Sequence, residues 1–233
     1  MKMPLIQLQP ALIHATGDDS RQDSACTHQH QCEMKDTKQD GLLQAGLQHV
    51  DTNLVDLAMA ALSQRDFSFF INLFGSHQRL QVFLAIEAHL TDEEYWPLLR
   101  EVWQFEDLFF PHKEIWFRLL TSSRFGREQI METADREALE QMSAELEIFR
   151  GYTRSGHNGL SWTLSEATAD LFAQLANGPR MQWFGNKPGV GKVISGKCRK
   201  TDVIAFFTDR DENEIVIDPK KVYSTRVRPA RTV

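Results

Sequence analysis

The chain has 233 residues, of which 42% are hydrophobic and 25% charged, and it carries a net charge of −6 at pH 7. These totals are ordinary for a globular protein with a sizeable core, and the acidic balance disfavours a broadly basic nucleic-acid surface. We find neither a signal-peptide core nor an apolar run long enough to span a bilayer. Three cysteines without an export signal do not predict a disulfide framework. We therefore expect a cytosolic (cytoplasmic) protein with no membrane partner.

The first 48 residues are rich in Gln, Asp, Ser, Thr and His and hold few large apolar side chains. Such a segment cannot offset the entropy of ordering, so residues 1–48 are predicted to form a flexible tail. Within it, Cys26, His28, His30 and Cys32 are four potential zinc ligands. Their alternate spacing is not the usual pattern of a structural zinc site, so a solvated tail is favoured and no metal is expected.

The next region, residues 49–147, has apolar side chains at helical spacing and is predicted to be helical. The sequence from Thr91 to Glu94 is a capping box that predicts the start of one helix. A last, strongly charged helix is predicted from about Arg127 to Glu147. Aromatic residues of this region are interpreted as core, because aromatic rings dominate core burial. They are Trp96, Trp103, Phe105, Phe109, Phe110, Trp116 and Phe117.

The remaining region contains short strand-like segments. Residues 215–217 are β-branched throughout and precede Asp218-Pro219, which predicts a short strand with a turn at its end. Because side chains on a strand alternate, Glu212 and Glu214 are predicted to point to the same face at the entrance of this strand. Two carboxylates so close raise each other's proton affinity, which suits a reactive site.

Two earlier fragments complete a set of polar groups. Arg150 closes an apolar run and precedes Gly151, which lets a ligand approach the backbone closely. Ser161 and Thr163 alternate on a third short strand, with Trp162 turned the other way. An arginine can hold phosphate oxygens bidentately, and a carboxylate can face a positive charge that develops on a sugar. These groups suit the cleavage of a glycosidic bond through an oxocarbenium-like state.

The order Arg150-Gly151, then Ser161-Trp162-Thr163, then Glu212-Asn213-Glu214 resembles the R-S-E class of ADP-ribosyltransferases over residues 148–223. The resemblance implies that NAD is split at the nicotinamide–ribose bond and that ADP-ribose passes to an acceptor. It also implies an α+β fold, in which the N-terminal helical block packs on a compact split β-sandwich. The catalytic core would then cover residues 148–228.

The resemblance assigns roles to individual residues. Arg150 would hold an NAD phosphate, and Gly151 would contact the nicotinamide amide through its backbone. Ser161 would support the catalytic residue, Glu214, and the nicotinamide ribose. Glu212 matches the position that activates the acceptor in arginine-modifying members.

Further contacts with NAD are expected around this set. Trp162 and Thr163 stand where the family usually has Thr and Ser, and Phe172 lies on a helix predicted to open with a capping box from Thr163 to Glu166. The Gly-rich and Pro-rich stretch 177–191 is predicted to be a long loop. Its candidate NAD clamps are Arg180, Trp183 and Phe184, and the predicted acceptor-presenting loop is Asp209-Arg210-Asp211.

Several alternatives remain open at this stage. A protein arginine is the favoured acceptor, and an RNA base is the runner-up. The chain could instead be an NAD glycohydrolase or a catalytically inactive binding module. A phosphate-loop reading of residues 186–192 fails, because the first glycine is out of register, Val193 replaces Ser or Thr, and a strand rather than a helix is predicted to follow. A toxin with an antitoxin partner and an anti-phage effector both fit a small transferase of this kind.

Overall fold

The structure, a computed structural model, describes residues 40–105, 112–153, 156–175, 191–209 and 212–231. The chain divides into two compact units, residues 1–41 and 42–233. Several predictions lie outside the described residues: the tract from Cys26 to Cys32, the candidate clamps Arg180, Trp183 and Phe184, the rings of Phe109 and Phe110, and Arg210 and Asp211 of the predicted acceptor loop.

The first half of the second unit is built from helices. The sequence predicts those from residue 49 onward, whereas the helix at residues 42–47 lies in the stretch predicted to be a flexible tail. In chain order they are residues 42–47 (α1), Val55–Gln64 (α2), Phe67–Asn72 (α3), Ser76–Ile86 (α4), Asp92–Gln104 (α5), Lys113–Leu120 (α6) and Thr133–Gln141 (α7). One further helix, Glu166–Leu175 (α8), follows in the second half. None of the described helices is long and apolar enough to cross a membrane.

Helix α5 starts where its capping box predicts. The Thr91 hydroxyl accepts from the backbone N–H of Glu94, and the Glu94 carboxylate accepts from the backbone N–H of Thr91 at 2.8 Å. Trp96 and Trp103, both on α5, and Trp116 on α6 are buried, which confirms that these rings belong to the core. Phe105 is instead half exposed at the end of α5.

The predicted last helix is too long. Helix α7 ends at Gln141, and the chain enters a strand at Glu145. In the strand, Leu146 and Ile148 are buried while Glu145 and Glu147 are exposed. This two-residue alternation is the burial pattern of a strand, and it prevails over the high charge that favoured a helix.

Six strands form one sheet in which every described pairing is antiparallel. They are Glu145–Tyr152 (β1), Ser161–Thr163 (β2), Lys192–Arg199 (β3), Val203–Phe207 (β4), Glu214–Ile217 (β5) and Tyr223–Pro229 (β6), in the spatial order β4-β5-β2-β1-β3-β6. Helices and an antiparallel sheet together confirm the α+β class. Strand β3 runs through Gly196 to Arg199. A Cβ at Gly196 would lie 2.5 Å from Val222, so only glycine fits the strand there.

The two sides of the sheet are covered by different helices. On one side, Ala138, Leu139 and Met142 at the end of α7 pack against a cluster that contains Ile148 and Trp162. On the other side, Val216 and Phe207 join the core of the helical region. Helix α8 packs on Val193 through Ala169 and Ala173. The helical region and the sheet therefore share one core.

Helix α8 begins at Glu166, and its N-cap is not the predicted Thr163. The Ser165 hydroxyl accepts from the backbone N–H of Thr168 at 3.1 Å, which makes Ser165 the capping residue. The Thr163 hydroxyl accepts from the backbone N–H of Ser165 instead. At its other side, α8 is tied to β6 because Arg228 forms ion pairs with Glu166 and Asp170.

A buried ion pair fixes α5 to the sheet. Arg100 on α5 donates to Asp135 on α7 at 2.5 Å and to Asp209 after β4 at 2.5 Å. The Asp135 carboxylate also accepts from the backbone N–H and the hydroxyl of Thr208. Burial raises the pKa of Asp135, but these hydrogen bonds outweigh it and the net pKa is below the usual value. Asp209, predicted to lie in an acceptor loop, is thus engaged by α5.

We expect Asp135→Asn to destabilise the protein by about 3 kcal/mol at pH 7, because it removes the buried carboxylate that neutralises Arg100 and leaves the more exposed Asp209 as its close charged partner. Since the pKa of Asp135 is lower in the folded chain, its contribution is complete above the unfolded pKa of about 4 and is lost as the pH falls through the folded pKa. Urea unfolding between pH 7 and acid pH measures both effects. Glu137→Gln, an exposed change on the same helix, is the control. Equal stability of the two variants at pH 7 would contradict this role.

We expect Gly151→Ala to displace α8 from β1. A Cβ at this position would lie 2.0 Å from the Ala169 carbonyl oxygen and 2.5 Å from the Ala173 nitrogen, and backbone atoms cannot rotate away. Overpacking of this kind costs about 1–3 kcal/mol. Thermal unfolding and hydrogen exchange of α8 amides measure the change. The control is Gly75→Ala, where the nearest atoms, at 3.1 Å, belong to the movable side chain of His77. A variant as stable as the control would refute this packing argument.

Candidate functional site

A small cleft lies where the helical region meets the sheet. Its described lining comes from both parts: Trp103 of α5, Lys113 and Trp116 of α6, and Arg150, Gly159, Leu160 and Ser161 of the sheet region. The cavity volume is about 20 Å³, which is enough for roughly one water molecule. Two cationic side chains, two indole rings and a hydroxyl therefore converge on one narrow space.

The strand register brings Glu214 next to this cleft. Thr163 on β2 lies opposite Phe149 on β1 and opposite Glu214 on β5, so these three side chains share one side of the sheet. Ser161, two residues before Thr163, points to the same side. This arrangement confirms the predicted alternation of Ser161 and Thr163.

Glu214 is held by donors from two directions. The indole N–H of Trp103 lies 3.2 Å from each of the two carboxylate oxygens, and the Ser161 hydroxyl donates to the same carboxylate. Both donors line the cleft. Glu214 is therefore hydrogen-bonded to two residues that line the cavity.

Burial raises the pKa of Glu214 above its usual value. The hydrogen bonds from Ser161 and Trp103 favour the ionised form and oppose the rise. The nearby charge of Glu212 raises the pKa further, and that of Arg150 lowers it. A carboxylate with this balance of effects is a candidate for a functional group rather than a surface acid.

Arg150 reaches the cleft from the other side of the sheet. It pairs with Ile194, and by alternation it leaves β1 on the side of Ile148. The described ladder between β1 and β2 contains one register pair, so the strands part at this point and leave room for the guanidinium. Burial lowers the pKa of Arg150 to about 10, and the charge of Glu214 opposes the shift.

Much of the Arg150 guanidinium is used inside the protein. Its Nε donates to the Gly156 carbonyl at 2.6 Å, and Nη1 donates to the Ser161 carbonyl. A Cβ at Gly159 would lie 2.2 Å from Nη2, so the glycine makes room for the guanidinium. Arg150 thus fastens the loop before β2 to β1, and it places a positive charge beside the cleft at the same time.

The prediction that strand alternation aligns Glu212 with Glu214 is wrong. Strand β5 begins at Glu214, and Asn213 has a left-handed φ of 46°, so a regular strand does not continue through it. The Glu212 carbonyl accepts from the Thr163 hydroxyl at 2.5 Å, which anchors this turn to β2. The two carboxylates are nevertheless close enough for Glu212 to raise the pKa of Glu214.

The other predicted NAD contacts are not brought to the cleft. Trp162 is buried on the opposite side of the sheet and donates to the Gly159 carbonyl at 3.0 Å. Thr163 is buried, and its hydroxyl is engaged with the backbone of Glu212 and Ser165. Gly151 faces α8, whose backbone takes the space that the sequence suggested for a ligand. Phe172 is 39% exposed on α8 and does not belong to the described lining.

Sequence reasoning missed the contribution of the helical region. Trp103 and Trp116 were interpreted as core, which their burial confirms, but they also line the cleft, and Trp103 binds Glu214. Lys113 belongs to none of the motifs found in the sequence. The available signal was weak: a tryptophan on a buried helix face needs a partner for its N–H, and that partner is often a polar group of a site.

No group of three or more His, Cys, Asp or Glu side chains within the described ranges is placed to hold a metal ion. No protein-family model matches the chain, and neither a curated protein nor a solved structure matches it. A function is therefore argued from the cleft itself.

Proposed function

We propose that the protein is a mono-ADP-ribosyltransferase that cleaves NAD at the nicotinamide–ribose bond and transfers ADP-ribose to a macromolecule. One observation carries the proposal: Arg150 and Ser161 line one cleft from two neighbouring strands, and Glu214 on the next strand accepts a hydrogen bond from Ser161. The ADP-ribosyltransferase-like fold is part of the proposal. Strands β1 and β2 are joined by one described register pair, Phe149 with Thr163. So short a pairing supports a sheet that is nearly split at the site.

Glu214 takes the central role in this chemistry. When the bond to nicotinamide breaks, positive charge develops on the ribose, and a fixed carboxylate stabilises that charge without reorganising. The hydrogen bonds from Trp103 and Ser161 hold Glu214 and favour its ionised form. Glu212 lies close enough to orient an acceptor, and a carboxylate suits the guanidinium of a protein arginine.

The expected role of Arg150 was to hold an NAD phosphate through its guanidinium, but most of that group is already engaged inside the protein. Because Nε and Nη1 already donate to backbone carbonyls, its main contribution is a partly buried positive charge and a fixed β2. Lys113 adds a second cation to the cleft. The two charges together favour the anionic diphosphate of NAD near this end of the cleft.

The size of the cleft adds a requirement. A cavity of about 20 Å³ cannot receive a dinucleotide, so NAD binding requires the lining side chains to move. Because Trp103 and Trp116 line the cavity, such a movement changes tryptophan fluorescence. NAD binding can therefore be followed directly, without turnover.

We expect Glu214→Gln to lower the rate of nicotinamide release at least roughly 100-fold, since the amide is neutral and cannot stabilise the positive charge that develops on the ribose. Nicotinamide is measured by chromatography after incubation with NAD. The control is Glu147→Gln, the same substitution at an exposed position on β1. Near-normal release by the Glu214 variant would remove this residue from the reaction. If the unmodified chain binds NAD without releasing nicotinamide, the protein is a binding module.

We expect label from NAD radiolabelled in the adenylate phosphate to enter protein when the chain is incubated with cell lysate. The label should be lost on protease digestion and survive nuclease digestion, because Glu212 suits a protein arginine as acceptor. The Glu214→Gln chain is the control for non-enzymatic labelling. Nuclease-sensitive label would identify RNA as the acceptor instead. Release of nicotinamide without labelled macromolecules would identify a glycohydrolase.

A further inference from the structure

Glu214 receives a hydrogen bond from a residue that lies outside the stretch resembling ADP-ribosyltransferases. Trp103 belongs to α5 in the helical region, is 1% exposed, and directs its N–H at both oxygens of Glu214 with equal distances of 3.2 Å. We propose that Trp103 is a positioning residue for the Glu214 carboxylate, so that the helical region supplies part of the site itself. The kinetic consequence rests on the proposed function, whereas the structural consequence does not.

The geometry of this contact restricts the carboxylate. The terminal torsion of a glutamate side chain is broad, so its orientation must come from its surroundings. An N–H that is equidistant from both oxygens and lies in front of the carboxylate edge fixes the place of the group, but it does not by itself fix the rotation about the Cγ–Cδ bond. The Ser161 hydroxyl donates from β2 and adds a second direction of restraint. The carboxylate is therefore held between α5 and β2.

The indole is itself fixed and cannot follow the carboxylate. Its ring packs edge to face on Trp116, with centroids 5.0 Å apart and an interplanar angle of 89°. One turn earlier on α5, Arg100 is bound to Asp135 and Asp209. Helix α5 is thus anchored one turn before the residue that holds Glu214, and the indole itself is packed against α6.

The charges around Glu214 determine what a loss of Trp103 would do. Arg150 faces it from β1, Glu212 precedes it on its own chain segment, and Lys113 of α6 lines the adjoining cleft. Arg100 is already neutralised by Asp135 and Asp209. Burial favours the neutral acid, and the Trp103 and Ser161 donors favour the ion. Removing the Trp103 donor therefore moves the titration of Glu214 to higher pH.

Two variants test this role. Trp103→Phe removes the donor and part of the ring, and benzothienylalanine at position 103 removes the donor while it preserves the shape of the indole. Trp96→Phe is the matched control, because Trp96 is equally buried on the same helix but donates to the Phe125 carbonyl. The Glu214 carboxyl is titrated by carbon NMR in the ligand-free chain, with its signal identified by its absence from Glu214→Gln.

We expect both variants at position 103 to raise the pKa of Glu214 by roughly one unit, as the loss of a hydrogen bond to a charged group implies, and Trp96→Phe to leave it unchanged. The acid limb of the rate of nicotinamide release should move by the same amount, and most of the rate should return at higher pH. An unchanged titration, or a rate lowered equally at every pH, would overturn the proposal. If the unmodified chain releases no nicotinamide, the transferase proposal fails, and the NMR titration alone decides the role of Trp103.

Discussion

The buried contact between Arg100 and the carboxylates of Asp135 and Asp209 is the interaction on which the rest of the arrangement depends. It joins α5, α7 and the end of β4, and both Arg100 and Asp135 are buried there, while Asp209 remains partly exposed. A buried guanidinium is tolerated only where carboxylates and further hydrogen bonds compensate it, so this contact permits one relative placement of helix and sheet. Trp103 follows one turn later on the same helix, and its position over Glu214 is a consequence of that placement.

The placement of α5 against the sheet also explains why the cleft is lined by both aromatic and charged groups. Helices α5 and α6 contribute two indoles and Lys113, and the sheet contributes Arg150 and Ser161. Inside this low-dielectric region a charge interacts more strongly than in water, so Glu214 responds to every donor and charge around it. The protein balances a pKa rise from burial against two hydrogen bonds that favour the ionised form. The pKa of Glu214 can therefore shift when a charged ligand binds nearby.

Sequence reasoning succeeded where the pattern is local. The capping box at Thr91, the alternation of Ser161 and Thr163, and the buried strand at residues 215–217 depend on neighbours within a few residues, and the structure confirms them. It failed where distant segments compete for the same space. Gly151 was interpreted as a site for ligand approach, but the backbone of α8 packs against it and leaves no room for a side chain. Such contacts join parts of the chain that no local pattern links.

The sequence by itself determined most of the helical first half, the short strand at residues 215–217, the α+β class and the identity of Arg150, Ser161 and Glu214 as a set worth testing. Only the tertiary structure decided how these residues are used. Arg150 donates to backbone carbonyls, Asn213 turns the chain between the two glutamates, and Trp103 reaches Glu214 from a helix more than a hundred positions earlier. The physical reason is that the orientation of a side chain is set by the partners that bury it and complete its hydrogen bonds, and in this chain those partners come from distant elements.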